Sequence, residues 1–364
     1  MTPNFRNAET NTFGGAPKAC SGFPPKGLVA VAGRTGKRVT LGDVAKATGF
    51  TINTVSHALR DKEDISLETR VLIQETAERM GYVRNIMASS LRSGRTRTLG
   101  LIMGGLENPY YAIMANELGQ AAEKKGYTIV VLSSRDDPMR ELRMTNIAIG
   151  HQMDGVLLFP SRDARAAVNR MREAGMPYVV LARELSHLEA DTVRGDDFQG
   201  ARLAAEHLIA AGRRRLAYLG LEEVPFSTPQ RKAGFLEACR EAGIPESDLR
   251  ISSAEGRPLR EILTEWIREG VDGLFAFCDA EAWQAVSVMT ELGIRIPDGL
   301  AVVGFDNIQD NLVFPWPICS VGFDMTLFAE SAIRMIRHKI HHPDSHPEQM
   351  VLPCTLTCRH SCGA

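Results

Sequence analysis

From Thr98 onward the chain repeats one pattern: short apolar runs alternate with amphipathic stretches. The runs are Leu99–Met103, Ile129–Ser133, Gly155–Phe159, Tyr178–Leu181, Leu216–Leu219, Gly273–Phe277 and Leu300–Gly304. Between the first two, residues 110–125 read as a helix stopped by Gly126. Runs this short and this apolar suit strands covered on both faces, and the intervening helices supply the cover. The pattern therefore predicts parallel sheets of an α/β fold. Ligands in such folds sit beyond the carboxyl ends of the strands. Polar residues at those ends become candidates for a cleft: Tyr110, Tyr111, Ser161, Arg183, Arg231, Asp279 and Asp306.

The first 97 residues differ. Residues 1–37 hold five basic and one acidic side chain, and residues 38–97 hold ten basic and seven acidic. The net charge of the whole is −2, so the remainder is acidic. A basic front on an acidic body is the asymmetry of a chain whose one end meets a polyanion. No run of apolar residues is long enough to span a membrane. Residues 1–37 lack a signal peptide's apolar segment and read as a disordered extension. Gly33-Arg34-Thr35-Gly36-Lys37 lacks the spacing of a phosphate loop and suits a basic arm. Seven cysteines without a signal peptide point to reduced thiols in the cytoplasm. Cys354, Cys358 and Cys362 lie near His346 and His360, but on a strand Cys354 and Cys358 would stand about 13 Å apart, too far for one ion. The expectation is no metal and no cofactor.

Residues 38–84 read as a helix-turn-helix domain. Leu41, Val44, Ala45 and Thr48 recur at helical spacing behind Thr40, Gly49 supplies a tight turn, and Thr51 caps a second helix, Ile52 to Leu59. Two short helices joined this way place the second in a DNA major groove. Val55, Ala58 and Leu59 share its core face, leaving Ile52, Asn53, Ser56 and His57 outward. Asn can bridge N6 and N7 of adenine, and His and Ser can reach guanine acceptors. Thr51 and Thr54 suit phosphate contacts. Ser66 caps a third helix with Val71, Leu72, Ala77 and Met80 as its stripe, ending at Gly81. Val44, Val55, Leu59 and Leu72 are the expected core.

Val39-Thr40-Leu41-x-Asp43-Val44-Ala45, Thr54-Val55-Ser56-x-Ala58-Leu59, Ser66-x-x-Thr69-Arg70 and Gly81-Tyr82-x-x-Asn85 stand in order and at spacing that resembles the head of the lac-repressor/galactose-repressor family. The resemblance implies DNA contacts from Thr40, Thr51, Ile52, Asn53, Thr54, Ser56, His57, Tyr82 and Asn85. Residues 85–97 resemble that family's hinge helix and linker, in which Ala88 and Leu91 match; Leu91 would wedge into the minor groove. Two positions depart from the family pattern: His57 stands where many members have Arg, and Arg84 where Pro is usual.

The likeness continues through Asn108-Pro109-Tyr110-Tyr111, Asp154-Gly155-Val156, His207-Leu208-Ile209, Arg231-x-x-Gly234-Phe235 and Val303-Gly304-Phe305-Asp306. It implies that residues 98–364 form a periplasmic-binding-protein-like domain of two α/β lobes for ligand binding and dimerisation. The lobes are expected at 98–193 plus 324–350 and at 194–323 plus 351–364. Arg231 and Asp306 match the family's effector-binding Arg and Asp. Cys278 falls where many sugar-binding members have Asn. His207 is expected to pack within its helix, and Asp196-Asp197 to mark a turn at a lobe crossover.

The chain lacks a dinucleotide-binding glycine motif after a strand, a nucleophile elbow and a metal-ligand motif, which argues against an enzyme. A transport-type binding protein would have no use for residues 38–97. The expected partners are a near-palindromic double-stranded operator, a small-molecule effector such as a sugar or sugar acid, and a second copy of the chain. The tail lacks the heptads of a tetramer, which points to a homodimer.

Overall fold

The computed structural model describes residues 39–62, 64–83, 94–185, 189–221, 227–253, 256–311 and 316–363. The expected extension (1–37), Arg84 and the hinge positions Asn85, Ala88 and Leu91 lie outside the described residues. The chain divides into two compact units, Met1–Asn85 and Ile86–Ala364.

In the first unit, α1 (Leu41–Thr48), α2 (Ile52–Ala58) and α3 (Leu67–Arg79) enclose a small core of Val44, Ala45, Val55, Ala58, Ile73 and Ala77. Thr40 caps α1 in a capping box with Asp43, so two amides left open at the helix start are bonded reciprocally. Gly49 ends α1 at φ 75°, a left-handed conformation that side-chain-bearing residues resist. The expected stripe of α3 is corrected by the structure. Val71 and Leu72 are 42% and 47% exposed, whereas Ile73 is fully buried. The face turned to α1 and α2 is Ile73, Thr76 and Ala77, rotated from the one that Val71 and Leu72 would define.

The second unit holds two six-stranded sheets. The first comprises β1 (Thr98–Met103), β2 (Thr128–Ser133), β3 (Gly155–Leu158), β4 (Tyr178–Leu181), β5 (Thr192–Gly195) and β11 (Gln349–Leu352), in the order β11-β5-β4-β3-β1-β2. The second comprises β6 (Leu216–Gly220), β7 (Leu249–Ser253), β8 (Gly273–Ala276), β9 (Ala301–Phe305), β10 (Cys319–Gly322) and β12 (Thr355–Thr357), in the order β12-β10-β9-β8-β6-β7. Neighbouring strands run parallel except β12, which is antiparallel to β10. The helices are α4 (Pro109–Glu123), α5 (Pro138–Gly150), α6 (Arg165–Glu173), α7 (Asp197–Ala210), α8 (Ser227–Glu241), α9 (Leu259–Arg268), α10 (Asp279–Glu291) and α11 (Met325–His341).

The chain crosses from lobe to lobe after β5, after β10 and after β11. Two crossings fall two residues later than the sequence suggests, because Val351 and Leu352 pair with Arg194 and Gly195 in the first sheet. Each lobe has its own core. Leu99, Leu101, Leu157 and Val179 of the first sheet pack against Met114 and Leu118 of α4 and Phe328 and Ile333 of α11. Leu216, Tyr218, Phe275, Val303 and Phe305 of the second pack against α7 and α8. Full burial of each such side chain contributes about 1.5–3 kcal/mol. No helix among the described residues is long and apolar enough to cross a membrane.

Candidate functional site

Two sets of residues carry chemistry, one in each unit. On α2 the N-cap Thr51 accepts the Thr54 amide at 3.2 Å, and the two hydroxyls are 2.9 Å apart. This hydroxyl pair and the first-turn amides lie at the positive end of the helix, where an anion is favoured. Ile52 is 53% exposed and Asn53 is exposed beside it. His57 is half-buried, with Nδ1 2.6 Å from Asp64 Oδ2, so the carboxylate fixes the ring's orientation. Ser56 corrects the sequence reading. It is buried, and its Oγ accepts from Arg60 Nη2 at 2.5 Å while Arg60 Nε donates to the Ser56 carbonyl at 3.0 Å. Arg60 thus covers Ser56 and takes up both its hydroxyl and its carbonyl. Thr40 spends its hydroxyl on Asp43 at 2.7 Å, and Tyr82 packs against the three-helix core.

In the second unit the carboxyl ends of the strands from both lobes converge. Arg231, on α8, is buried, and its Nε donates to Asp197 Oδ1 at 2.7 Å. Its Nη2 lies 3.7 Å from Asp306 Oδ1, Nη1 donates to the Phe277 carbonyl, and its guanidinium carbon sits 3.5 Å from the Phe305 ring centroid. Burial alone would lower the pKa of Arg231, but Asp197 and Asp306 override it and hold the group charged. Burial pushes Asp306 up to about 8, with Arg231 opposing the shift. Asp306 follows β9 at φ 96°, a backbone region uncommon for residues with side chains. Such outliers concentrate where function demands a fixed direction.

From the first lobe, α4 begins at Pro109 behind the N-cap Asn108, which accepts the Tyr110 amide at 3.0 Å. That cap sets Tyr110 and Tyr111 at the helix start, edge-on to Phe159 at 6.3 and 5.5 Å. Burial raises the Tyr110 hydroxyl well above its ordinary range, and the charge of Asp306 across the cleft raises it further. Arg183 donates to the Pro160 carbonyl, reaches the Tyr111 hydroxyl at 3.5 Å and lies 3.7 Å from Asp136. Ser161 is buried and gives its amide to Glu141 Oε2 at 2.6 Å. Cys278, the N-cap of α10, is buried beside this group.

Tyr110, Tyr111, Arg183, Arg231, Cys278 and Asp306 therefore gather where the two lobes meet, and Ser161 joins them through Glu141 beside Arg183. Asp279 does not belong with them. It is fully buried, its Oδ1 accepts the Ser320 hydroxyl at 2.6 Å and its Oδ2 the Ile308 amide at 2.9 Å. It ties the start of α10 to β10 and to the turn that follows β9. Asp197 is the residue that sequence reasoning missed. Asp196 and Asp197 were expected to mark a turn, whereas Asp196 caps α7 and Asp197, one residue on, faces Arg231. Adjacent carboxylates at a helix start carried that signal, since only one of them is needed for the cap.

The family description "Bacterial regulatory proteins, lacI family" matches residues 40–85, and "Periplasmic binding protein-like domain" matches residues 205–362. The "Maltose regulon regulatory protein MalI" of Escherichia coli (strain K12) is 33% identical over 337 residues, covering 88% of this chain and 98% of that protein. The solved structure of the "transcriptional regulator CelR-cellobiose complex" is 26% identical, with a TM-score of 0.65 over 89% of this chain and 100% of that one. The lac repressor dimer bound to operator and the anti-inducer ONPF shares the fold at a TM-score of 0.75 and 20% identity, covering 90% of this chain and 100% of that chain. With a helix-turn-helix head, a two-lobed body and relatives matched over nearly their whole length, this chain belongs to the lacI family of bacterial regulatory proteins and is a DNA-binding regulator of transcription.

Proposed function

We propose that the chain is a repressor that holds a near-palindromic operator as a homodimer and that a polyhydroxylated small molecule, a sugar or sugar acid, controls that grip. It works by binding and not by catalysis, and it acts in the cytoplasm, where its DNA is. The observation that carries the effector reading is Arg231, buried between Asp197 and Asp306 at the carboxyl ends of the second sheet's strands. A guanidinium fork accommodates paired oxygens, and a carboxyl beside it takes hydroxyls. Phe305 and Phe277 lie under the Arg231 guanidinium and hold its plane in place. CelR, a relative by structure, was solved with cellobiose.

On the DNA side, Ile52 and Asn53 face a base edge, Thr51 and Thr54 hold phosphates, and His57 is aimed by Asp64. An effector changes operator affinity only if it distinguishes two arrangements of the lobes. In the described arrangement the lobes meet, since Ile308 of the second packs into the core of the first. The test is a thermal-shift screen of sugars, sugar acids and nucleobases on the wild type, Arg231→Ala and Asp306→Ala, paired with operator binding at several salt concentrations. The reading requires a hit that either substitution abolishes and that shifts a salt-dependent operator affinity. A hit indifferent to both substitutions would place the effector elsewhere. DNA binding that survives removal of residues 1–60 would overturn the reading of the head.

A further inference from the structure

At the far end of α7 from Asp197, four side chains from three parts of the chain point at one spot. His207 lies in the last turn of α7, Cys319 opens β10, and Cys358 and Cys362 follow β12. Their donor atoms all lie within 4.8 Å of one another. Cys358 Sγ is 3.6 Å from Cys362 Sγ and 3.9 Å from Cys319 Sγ, and His207 Nε2 is 2.9 Å from Cys362 Sγ. We propose that these four residues bind a structural zinc ion, a Cys3His site that fastens the C-terminal segment to the second lobe.

The sulfur–sulfur distances suit a bound ion, and the 2.9 Å between His207 Nε2 and Cys362 Sγ would open to about 3.5 Å around zinc. Zinc takes thiolates at about 2.3 Å in a tetrahedron, which sets neighbouring sulfurs about 3.8 Å apart. The two sulfur–sulfur separations, 3.6 and 3.9 Å, bracket that edge. They are far longer than a disulfide bond of about 2.05 Å. A disulfide would also leave the third thiol and the imidazole converging to no purpose. The ligand set is complete at four with no open position, which marks a structural site and not a catalytic one. The surroundings suit a thiolate-bound cation. The Arg359 amide points at Cys319 Sγ across 3.1 Å, a backbone donor of the kind that steadies metal-bound sulfur. Cys319 and Cys362 are buried, while Cys358 is exposed and gives the ion an entry path.

The tail is further pinned by its own residues. Ser361 Oγ accepts the Cys319 amide at 2.7 Å, and Arg359 donates to the Ile318 carbonyl at 2.9 Å and to Asn307 Oδ1 at 2.7 Å. Asn307 adjoins Asp306 of the cleft, so the metal knot braces the loop that carries Asp306. Sequence spacing pointed away from metal because it weighed only the tail. Cys354 indeed takes no part, its thiol lying 3.4 Å from the Asp196 carbonyl. The missing ligands are separated in sequence by 112 residues, His207 to Cys319, and only the packing of α7 on the second sheet unites them.

The test uses the full-length protein, purified with a phosphine reductant and without chelator. Metal analysis should find about one zinc per chain. Replacing zinc with Co2+ should produce an intense thiolate-to-cobalt charge-transfer band and the visible bands of a tetrahedral ion. Chelation should lower Tm by about 5–10 °C, restored by zinc. Cys358→Ser, at an exposed position, should lose the band and the zinc-dependent shift, whereas Cys239→Ser should keep both. Wild-type protein that holds no zinc and gives no thiolate band with cobalt would overturn the proposal. So would a Cys358→Ser variant that retains both, or a disulfide between Cys358 and Cys362 found by mass spectrometry in that preparation.

Discussion

Arg231 donates its Nε–H to Asp197 across 2.7 Å, with both side chains buried in the second lobe. The pair joins α8 to the first turn of α7 and sets the guanidinium's remaining donors toward Phe277 and Asp306. Removing the cation leaves two carboxyls buried without it. Arg231→Ala should therefore destabilise the second unit by about 3–5 kcal/mol in urea unfolding. Asp197→Asn, which leaves Arg231 its contact with Asp306, should cost less. Equal losses from the two would mean that Asp306 contributes nothing to holding Arg231.

Gly234 stands one turn after Arg231, where a Cβ would come 2.1 Å from the Phe198 carbonyl oxygen. A backbone atom cannot step aside as the end of a side chain can. Gly234→Ala should force α7 and α8 apart, cost at least about 2 kcal/mol and weaken any ligand held by Arg231. Gly150→Ala, with open space around its Cβ, serves as the control and should change stability by less than about 1 kcal/mol. Denaturant midpoints of the two variants check this directly.

The DNA-reading helix makes a separate prediction. Asn53→Ala and His57→Ala should each cost about 1–3 kcal/mol of discrimination at one base pair, read by fluorescence anisotropy against a panel of single-substitution operators. Asp64→Ala removes only the support of the imidazole, a partly exposed pair, and should cost less than about 1 kcal/mol. Thr54→Val should instead weaken all sequences alike, because a phosphate contact carries no sequence information.

Glu141 gives stability a pH dependence of known sign. Burial raises its carboxyl from 4.5 to about 7, against the opposing bond from Ser161. Between those values the folded protein keeps a proton that the unfolded chain has released. The contribution is complete below pH 4.5 and is lost as pH rises through about 7. Glu141→Gln keeps an acceptor for the Ser161 amide without the charge. It should be more stable than the wild type by about 2–3 kcal/mol above neutrality, with the difference vanishing toward the acid end. A difference independent of pH would mean that Glu141 does not titrate in this range.

Much of the fold was legible because it rests on local pattern. The central strands β1, β3, β8 and β9 announce themselves as apolar runs, since both their faces are covered. The edge strand β7 is half-exposed, and its Leu-Arg-Ile-Ser-Ser makes no such run. The caps Thr51 and Ser66 were legible for the same local reason: each bonds an amide within three residues. Most of the polar residues that meet between the lobes stand near strand ends or helix starts, where local pattern points to them. Ser56 and Leu72 were misplaced because one residue of helical rotation, about 100°, decides burial, and only the neighbouring helix fixes that rotation.

The sequence by itself determined the kinds of element, their order, the helix-turn-helix and the family, because these follow from periodicity and from motifs within a few residues. Only the tertiary structure decided which distant polar groups meet: Asp197 with Arg231, Asp279 with Ser320 and not with the cleft, and His207 with Cys319, Cys358 and Cys362. Those meetings depend on how strands order in a sheet and how helices pack on it, and that geometry is set by the summed burial of many apolar side chains and not by any one segment.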